Sequence, residues 1–206
     1  MPEIKTIKKS WAERLADLPP DRLKTAIQTL ADIIDAPSAD GLESCVRCGL
    51  CADSCHYFLD DRDLRNIPAA KLNLVIRVFR GQVAGSGRTR RAAPGLDAAA
   101  IREWADALYG RCTLCGRCMV NCTMGIQIPT VIRKGRAVLA SLDLIPDGLD
   151  STVALARETG NTMGITREDW VETAAWLEED LRAETGDPSI RLPMDAEGAS
   201  MISAKV

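Results

Sequence analysis

Two short runs of cysteine constrain the fold of this chain more than any other feature of its sequence. The first run contains Cys45, Cys48, Cys51 and Cys55, and the second contains Cys112, Cys115, Cys118 and Cys122. Both have the spacing C-x2-C-x2-C-x3-C, and together they use all eight cysteines of the chain. The remaining sequence is therefore interpreted as a scaffold that holds two cysteine loops.

The composition indicates a cytoplasmic metalloprotein. The chain has 206 residues, 46% of them hydrophobic, and a net charge of -3, so nothing in its charge indicates nucleic-acid binding. The N-terminus lacks the apolar segment of a secretory signal, and no apolar stretch approaches the ~20 residues that cross a bilayer. We therefore expect no direct membrane span and a cytoplasmic location, where thiols stay reduced. Cysteines in that compartment indicate metal ligands and not disulfides.

The spacing of the two runs predicts two [4Fe–4S] clusters with crossed ligation. Each cube needs four soft thiolate ligands, and one short loop can present three of them. In two-cluster ferredoxins the fourth Cys of each run binds the other cluster. One predicted cluster is held by Cys45, Cys48, Cys51 and Cys122, and the other by Cys112, Cys115, Cys118 and Cys55. The two runs must then lie close together, and we expect the clusters to form much of the core.

Three further residues, which are not ligands, are candidates for contacts with the clusters or their ligand sulfurs. Gly49 and Gly116 each follow the second Cys of a run, where a residue without a Cβ lets the backbone turn and its N–H approach the cluster sulfides. His56, the only histidine, directly follows Cys55. We expect His56 to pack against a cluster or to hydrogen-bond its sulfur, since four cysteines already serve each cube. No set of side chains typical of a substrate site accompanies them, so we expect an electron carrier.

A zinc-binding structural module is the alternative of a different class. Zinc sites are usually built from C-x2-C pairs that are separated by a longer spacer, with four ligands in all. Two identical four-cysteine runs favour iron–sulfur clusters instead. Two adjacent clusters also favour electron transfer over a purely structural role, because they form a relay.

Helical periodicity predicts an all-α fold with loops at the cysteines. Residues 1–40 are predicted to be an N-terminal helical arm, which either binds a partner or packs on its own domain. Residues 41–145 form the cysteine domain, residues 146–186 two further helices, and residues 187–206 a partly extended tail. Expected details include helix caps at Ser10, Asp21 and Thr166, a loop over residues 37–41 and a basic, solvated loop over residues 84–95.

The helical insert between the runs resembles the α-helical ferredoxin fold. That fold is shared by the HdrC protein of heterodisulfide reductase, the C-terminal half of the succinate dehydrogenase iron–sulfur subunit and the iron–sulfur subunit of anaerobic glycerol-3-phosphate dehydrogenase. The segment from Pro68 to Gly81 is similar to the helix after the first motif of HdrC, and residues 108–129 are similar to the second motif and its following helix. The chain departs from the family at His56 and Thr123, where members usually have Pro after the fourth Cys.

The resemblance implies an electron-transfer subunit of a heterodisulfide reductase-like complex, with a sulfur-oxidising complex as one hypothesis. Residues 190–199 look like the junction at which fused members continue into CCG domains, which hold the catalytic cluster in HdrB and its relatives. Because this sequence has no CCG motif, the resemblance implies a separate HdrB-like CCG-domain partner and, beside it, a flavin-containing subunit. The alternative is the iron–sulfur subunit of a membrane-associated dehydrogenase of the succinate or glycerol-3-phosphate type.

Overall fold

The computed structural model describes residues 10–84 and 96–193, and within these ranges the chain is helical without any strand. The predicted all-α class is therefore confirmed. The helices are α1 (Trp11–Ala16), α2 (Pro20–Ile33), α3 (Ala36–Ser44), α4 (His56–Asp61), α5 (Pro68–Val78), α6 (Ala98–Ala105), α7 (Arg117–Val120), α8 (Ile128–Ser141), α9 (Asp147–Thr159) and α10 (Arg167–Thr185). Short 3₁₀ turns lie at Leu50–Ser54 and Leu64–Asn66, and π-helical turns extend α5 over Phe79–Val83 and α6 over Asp106–Gly110.

The chain divides into two compact units, Met1–Pro146 and Asp147–Val206. The cysteine runs and helices α1 to α8 belong to the first unit, and α9 and α10 belong to the second. No helix of the described residues is both long enough and apolar enough to cross a bilayer. Residues 85–95 of the predicted basic loop and residues 194–206 of the predicted tail lie outside the described residues.

Two of the three predicted helix caps are confirmed. The Ser10 hydroxyl accepts the N–H of Glu13, whose carboxylate accepts the N–H of Ser10, and Thr166 and Asp169 form the same reciprocal pair before α10. The predicted cap at Asp21 is wrong, because α2 already begins at Pro20 and Asp21 lies inside its first turn. Proline suits that position, since its fixed φ is helical and the first turn needs no N–H donor.

The loop predicted over residues 37–41 is also wrong, because these residues lie in α3. The Asp35 carboxylate accepts the Ser38 N–H at 3.0 Å and caps this helix. Pro37 occupies the first turn of α3, where a missing N–H costs nothing. The Lys134 ammonium, 2.9 Å away, is the main reason that the pKa of Asp35 falls to about 2. The first cysteine run therefore starts directly at the end of an anchored helix.

Helix side chains supply the core of the first unit. Its largest fully buried members are Leu15, Leu30, Leu42, Leu72, Val75, Ile76, Ile101, Trp104, Leu108, Ile132, Leu139 and Leu144. Helix α8 packs against α2 and α5, and Gly135 on α8 lies so near α6 that an added Cβ would be 2.6 Å from Leu108 Cδ1. A continuous aliphatic core lies beside the cysteine loops, and Cys51 is part of it. That clusters form much of the core stays a prediction.

The N-terminal helices take part in the same core. Leu15 of α1 and both Ala26 and Leu30 of α2 are buried, and the Arg14 guanidinium donates to the Ile145 carbonyl at 2.8 Å. Two alternatives were open for residues 1–40, partner binding or packing on their own domain. The described part of this segment packs on its own domain.

The second unit contains helices α9 and α10, which expose several large apolar side chains. Neither α9 nor α10 contains a buried residue, and Trp176 is 61% exposed. Gly186, at φ 70°, ends α10 in the left-handed conformation. The chain then turns back, and the Arg182 guanidinium donates to the Ile190 carbonyl at 2.9 Å.

Candidate metal centres

The two cysteine runs surround two neighbouring cavities in the first unit. Cavity A is lined by Cys45, Cys48, Cys51 and Cys122. Cavity B is lined by Cys112, Cys115, Cys118 and Cys55. Ile128 lines both cavities and so separates them. The structure thus brings together the same two sets of four cysteines that the spacing predicts, three from one run and one from the other.

The two loops have the same backbone conformation at matching positions. Gly49 and Gly116 have φ of 84° and 82°, and a Cβ at either would meet no atom within 4 Å. The left-handed backbone, and not crowding by the described protein, therefore requires glycine here. Arg47 and Leu114, two residues earlier in each run, also have positive φ, 55° and 58°. A non-glycine residue held there costs about 1–2 kcal/mol, so the surrounding structure must stabilise both loops.

Each cavity has an exposed edge and a buried edge. Cys48 and Cys115 are exposed, whereas Cys51 and Cys55 are 6% and 9% exposed. Burial, together with neighbouring sulfurs that include Cys112 and Cys51, raises the pKa of the Cys118 thiol to about 11. Burial likewise raises the pKa of Cys51, whereas the Arg117 N–H lowers that of Cys115. Metal binding must therefore displace protons from the buried thiols.

Backbone N–H groups already point at cysteine sulfurs in both loops. The Leu114 N–H donates to Cys112 Sγ at 3.4 Å, and the Ile126 N–H donates to Cys122 Sγ at the same distance. The Cys55 thiol donates to the Asn66 carbonyl, also at 3.4 Å. The two backbone donors stabilise the negative charge of a thiolate at Cys112 and Cys122, whereas the Cys55 contact requires a protonated thiol.

Cavity B carries polar side chains that the sequence reasoning did not identify as a group. Lys71 is 2% exposed, and its ammonium donates to the Arg111 carbonyl, lies 3.9 Å from Cys55 Sγ and lies 5.2 Å from the centre of the Tyr57 ring. His56 lines the same cavity, and its buried Nδ1 has no hydrogen-bond partner among the described residues. An unpaired buried nitrogen is costly unless something accepts its proton or donates to it. A sulfide or thiolate in cavity B fits that requirement.

A polar network around the buried Asn66 connects the end of the first run to the start of the second. The Asn66 amide donates to the Asp61 carboxylate at 2.9 Å, and its oxygen accepts from Arg111 at 3.2 Å. Arg111 also pairs with Asp63 at 3.1 Å and with Asp106 at 2.7 Å. Because Arg111 directly precedes Cys112 and the Asn66 carbonyl accepts from the Cys55 thiol, this network links two cysteines that line cavity B.

Helix α8 holds the second run from the other side. The Arg136 guanidinium donates to the carbonyls of Leu108, at 2.8 Å, and of Cys112. The same group lies 4.9 Å from the centre of the Tyr109 ring. The first of these bonds satisfies a carbonyl of the π-helical turn that follows α6, and the second ties α8 to the backbone of the second run.

Sequence reasoning missed Lys71, Asn66, Arg111 and Arg136, although one of them leaves a signal. Lys71 falls between Pro68 and Leu72 at the spacing of the buried face of α5, where a lysine is unexpected. The roles of the other three depend on contacts between segments that are distant in sequence, which no local pattern reveals.

The donor set around each cavity fits a [4Fe–4S] cube. Such a cube takes one soft ligand per iron, and each cavity offers four thiols around an open volume. In the described ranges, no three or more His, Cys, Asp or Glu side chains converge to hold a single metal ion.

Comparison with known proteins identifies the cysteine domain. Residues 41–126 match the family model described as a 4Fe-4S dicluster domain. Over 128 residues the chain is 34% identical to a protein of Archaeoglobus profundus named "Hdr-like menaquinol oxidoreductase iron-sulfur subunit". The aligned region makes up 60% of this chain and 23% of that protein. Over 127 residues it is 30% identical to "Hdr-like menaquinol oxidoreductase iron-sulfur subunit 2" of Archaeoglobus fulgidus, with the same coverage of 60% and 23%. The chain therefore spans less than a quarter of the length of these relatives.

These matches confirm the predicted resemblance to HdrC-like proteins of the heterodisulfide reductase group. They also support the predicted iron–sulfur chemistry of the cysteine domain. The assignment of individual cysteines to individual clusters stays a prediction.

Proposed function

We propose that this chain is an electron-transfer subunit of a heterodisulfide reductase-like complex and that it relays single electrons through two [4Fe–4S] clusters. The observation that carries the proposal is the grouping of all eight cysteines around two adjacent cavities, with one cysteine of each set coming from the other run. The match to a 4Fe-4S dicluster domain and the names of the relatives support it.

In this proposal the cysteines of cavity A and those of cavity B are the ligands of two separate clusters. When bound, each cluster supplies a one-electron redox centre. Gly49 and Gly116 let the loops turn around the cubes, and Ile128 excludes water from the wall between them. With its proton on Nδ1, His56 would donate to a sulfur of the group in cavity B through this otherwise unpaired nitrogen.

The exposure of the ligands supports a relay with two outer faces. Cys48 lies on the exposed edge of cavity A, and Cys115 lies on the exposed edge of cavity B. Cys51 lies on the buried side of cavity A, and Ile128 lines both cavities. An electron that arrives at one exposed edge would pass the wall at Ile128 to reach the other cluster.

The proposed partners are an HdrB-like CCG-domain protein and a flavin-containing or quinol-linked donor. The names of both relatives connect those proteins to menaquinol. That favours a quinol-linked donor over the hypothesis of a sulfur-oxidising complex. The same names also favour, as the second candidate, the iron–sulfur subunit of a membrane-associated dehydrogenase, in which a haem-bearing membrane subunit replaces the CCG protein.

Anaerobic purification of the tagged chain from its native cells tests the proposal. We expect a brown protein with about eight iron atoms and eight inorganic sulfides per chain, as two cubes require, together with a CCG-domain protein. The double variant Cys48→Ala with Cys115→Ala should lose iron and keep its helical signal, because both side chains lie outside the helical core. A colourless zinc protein would contradict the cluster assignment, and a haem-bearing partner would favour the second candidate.

A further inference from the structure

The two cavities differ most in the charge that is built into their walls. Arg47 is the one charged side chain among the described residues that line cavity A, and it is exposed and donates to Asn73 at 2.9 Å. Cavity B is lined by Lys71 and Arg111. Two cysteine sites with nearly the same loops therefore present different electrostatic surroundings.

Of the two cations in cavity B, Lys71 has the charge that no carboxylate balances. Arg111 pairs with Asp63 and Asp106. For Lys71, no carboxylate within the described ranges lies at ion-pair distance, and its contacts are a carbonyl, an aromatic ring and Cys55 Sγ. Buried charges in proteins are normally paired. The negative charge that would balance Lys71 is that of the thiolates and the cluster they hold.

We propose that Lys71 raises the reduction potential of the cluster in cavity B above that of the cluster in cavity A. This inference rests on the proposed two-cluster relay. Reduction adds one negative charge, and a buried cation a few ångströms from a ligand sulfur stabilises the reduced form more than the oxidised form. Burial also keeps this interaction from being screened by salt.

The asymmetry gives the relay a direction. Transfer of one electron would oxidise the cluster held in cavity A and reduce the cluster held in cavity B, with no bond made or broken. Electrons would therefore accumulate on the cluster beside Cys115. Lys71 acts through the charge it places next to Cys55 and is a positioning residue, not a ligand.

Potentiometric titration of the anaerobic holo-protein, followed by EPR, tests this inference. Lys71→Met removes the charge and the hydrogen bond to the Arg111 carbonyl, whereas Lys71→Gln removes the charge and keeps a donor. Arg77→Met is the matched control, because it removes a positive charge from an exposed position of the same helix. Cys115→Ser, which alters a ligand of cavity B, shows which of the two signals belongs to that cluster.

We expect both Lys71 variants to lower the ratio of reduced to oxidised cavity B cluster at least tenfold at a fixed potential, which is about 59 mV or more for a one-electron couple. The cavity A cluster and the Arg77→Met variant should move by less than a third of that amount. Equal shifts of both clusters, or none, would overturn the inference while leaving the two-cluster proposal intact. If Lys71→Met loses iron, Lys71→Gln decides the question. Wild-type protein without two EPR-active clusters would instead overturn the proposed function.

Discussion

The left-handed glycine of the second loop offers a quantitative test of how the protein holds its cofactor. Replacing Gly116 by Ala adds a Cβ that meets no atom within 4 Å but must sit at φ 82°. The change therefore has a backbone cost of about 1–2 kcal/mol, reduced by about 0.4–1 kcal/mol because alanine restricts the unfolded chain. The net loss of about 1 kcal/mol corresponds to roughly a fivefold change in an equilibrium or rate.

The assay is the first-order loss of visible cluster absorbance in a fixed concentration of urea under argon. We expect Gly116→Ala to lose its cofactor about fivefold faster than the wild type. Gly116→Asn should be less affected, since asparagine tolerates the left-handed region. Gly148→Ala is the control, because that glycine lies in α9 with open space around it and alanine favours helix. If Gly116→Ala matches the wild type, or if Asn is as harmful as Ala, backbone conformation is not what requires this glycine.

Two further predictions concern helix α8. Gly135→Ala should destabilise the first unit by about 1 kcal/mol in thermal unfolding. Overpacking against the fully buried Leu108 costs about 1–3 kcal/mol, whereas the higher helix propensity of alanine stabilises by only about 1 kcal/mol. A raised Tm would contradict the close approach of Gly135 to Leu108. Arg136→Met should speed the loss of the cavity B cluster selectively. The carbonyls of Leu108 and Cys112 lose their donor, and each unsatisfied carbonyl costs about 1–3 kcal/mol of stability. The exposed Arg133→Met on the same helix should have no such effect, and equal loss of both clusters in Arg136→Met would refute the role assigned to it.

Spacing alone was enough to predict which cysteines come together. The rule that the fourth Cys of a run serves the other cluster depends only on how far a short loop can wrap, so it can be read without any tertiary information. The apolar stripe of α5 and the capping boxes at Ser10 and Thr166 are similarly local, and the structure contains all of them.

The failures have two physical causes. Pro37 and Gly41 made residues 37–41 look like a loop, but Pro37 lies in the first turn of α3, where proline is favoured, and Gly41 lies inside the helix next to Ile126, which an added Cβ would approach to 3.3 Å. The polar walls of cavity B could not be predicted for a different reason. Lys71 and Arg111 meet across 40 positions of sequence, and only the packed helices bring them together.

The crossed assignment of the fourth cysteines is the central claim, and EPR of Cys55→Ala tests it most directly. Cys48→Ser and Cys115→Ser, each at an exposed ligand of one cavity, serve as references for the two signals. We predict that Cys55→Ala damages the signal that Cys115→Ser alters and leaves the signal that Cys48→Ser alters. Loss of the Cys48-linked signal, with the other intact, would show that each run binds its own cluster and would contradict this account.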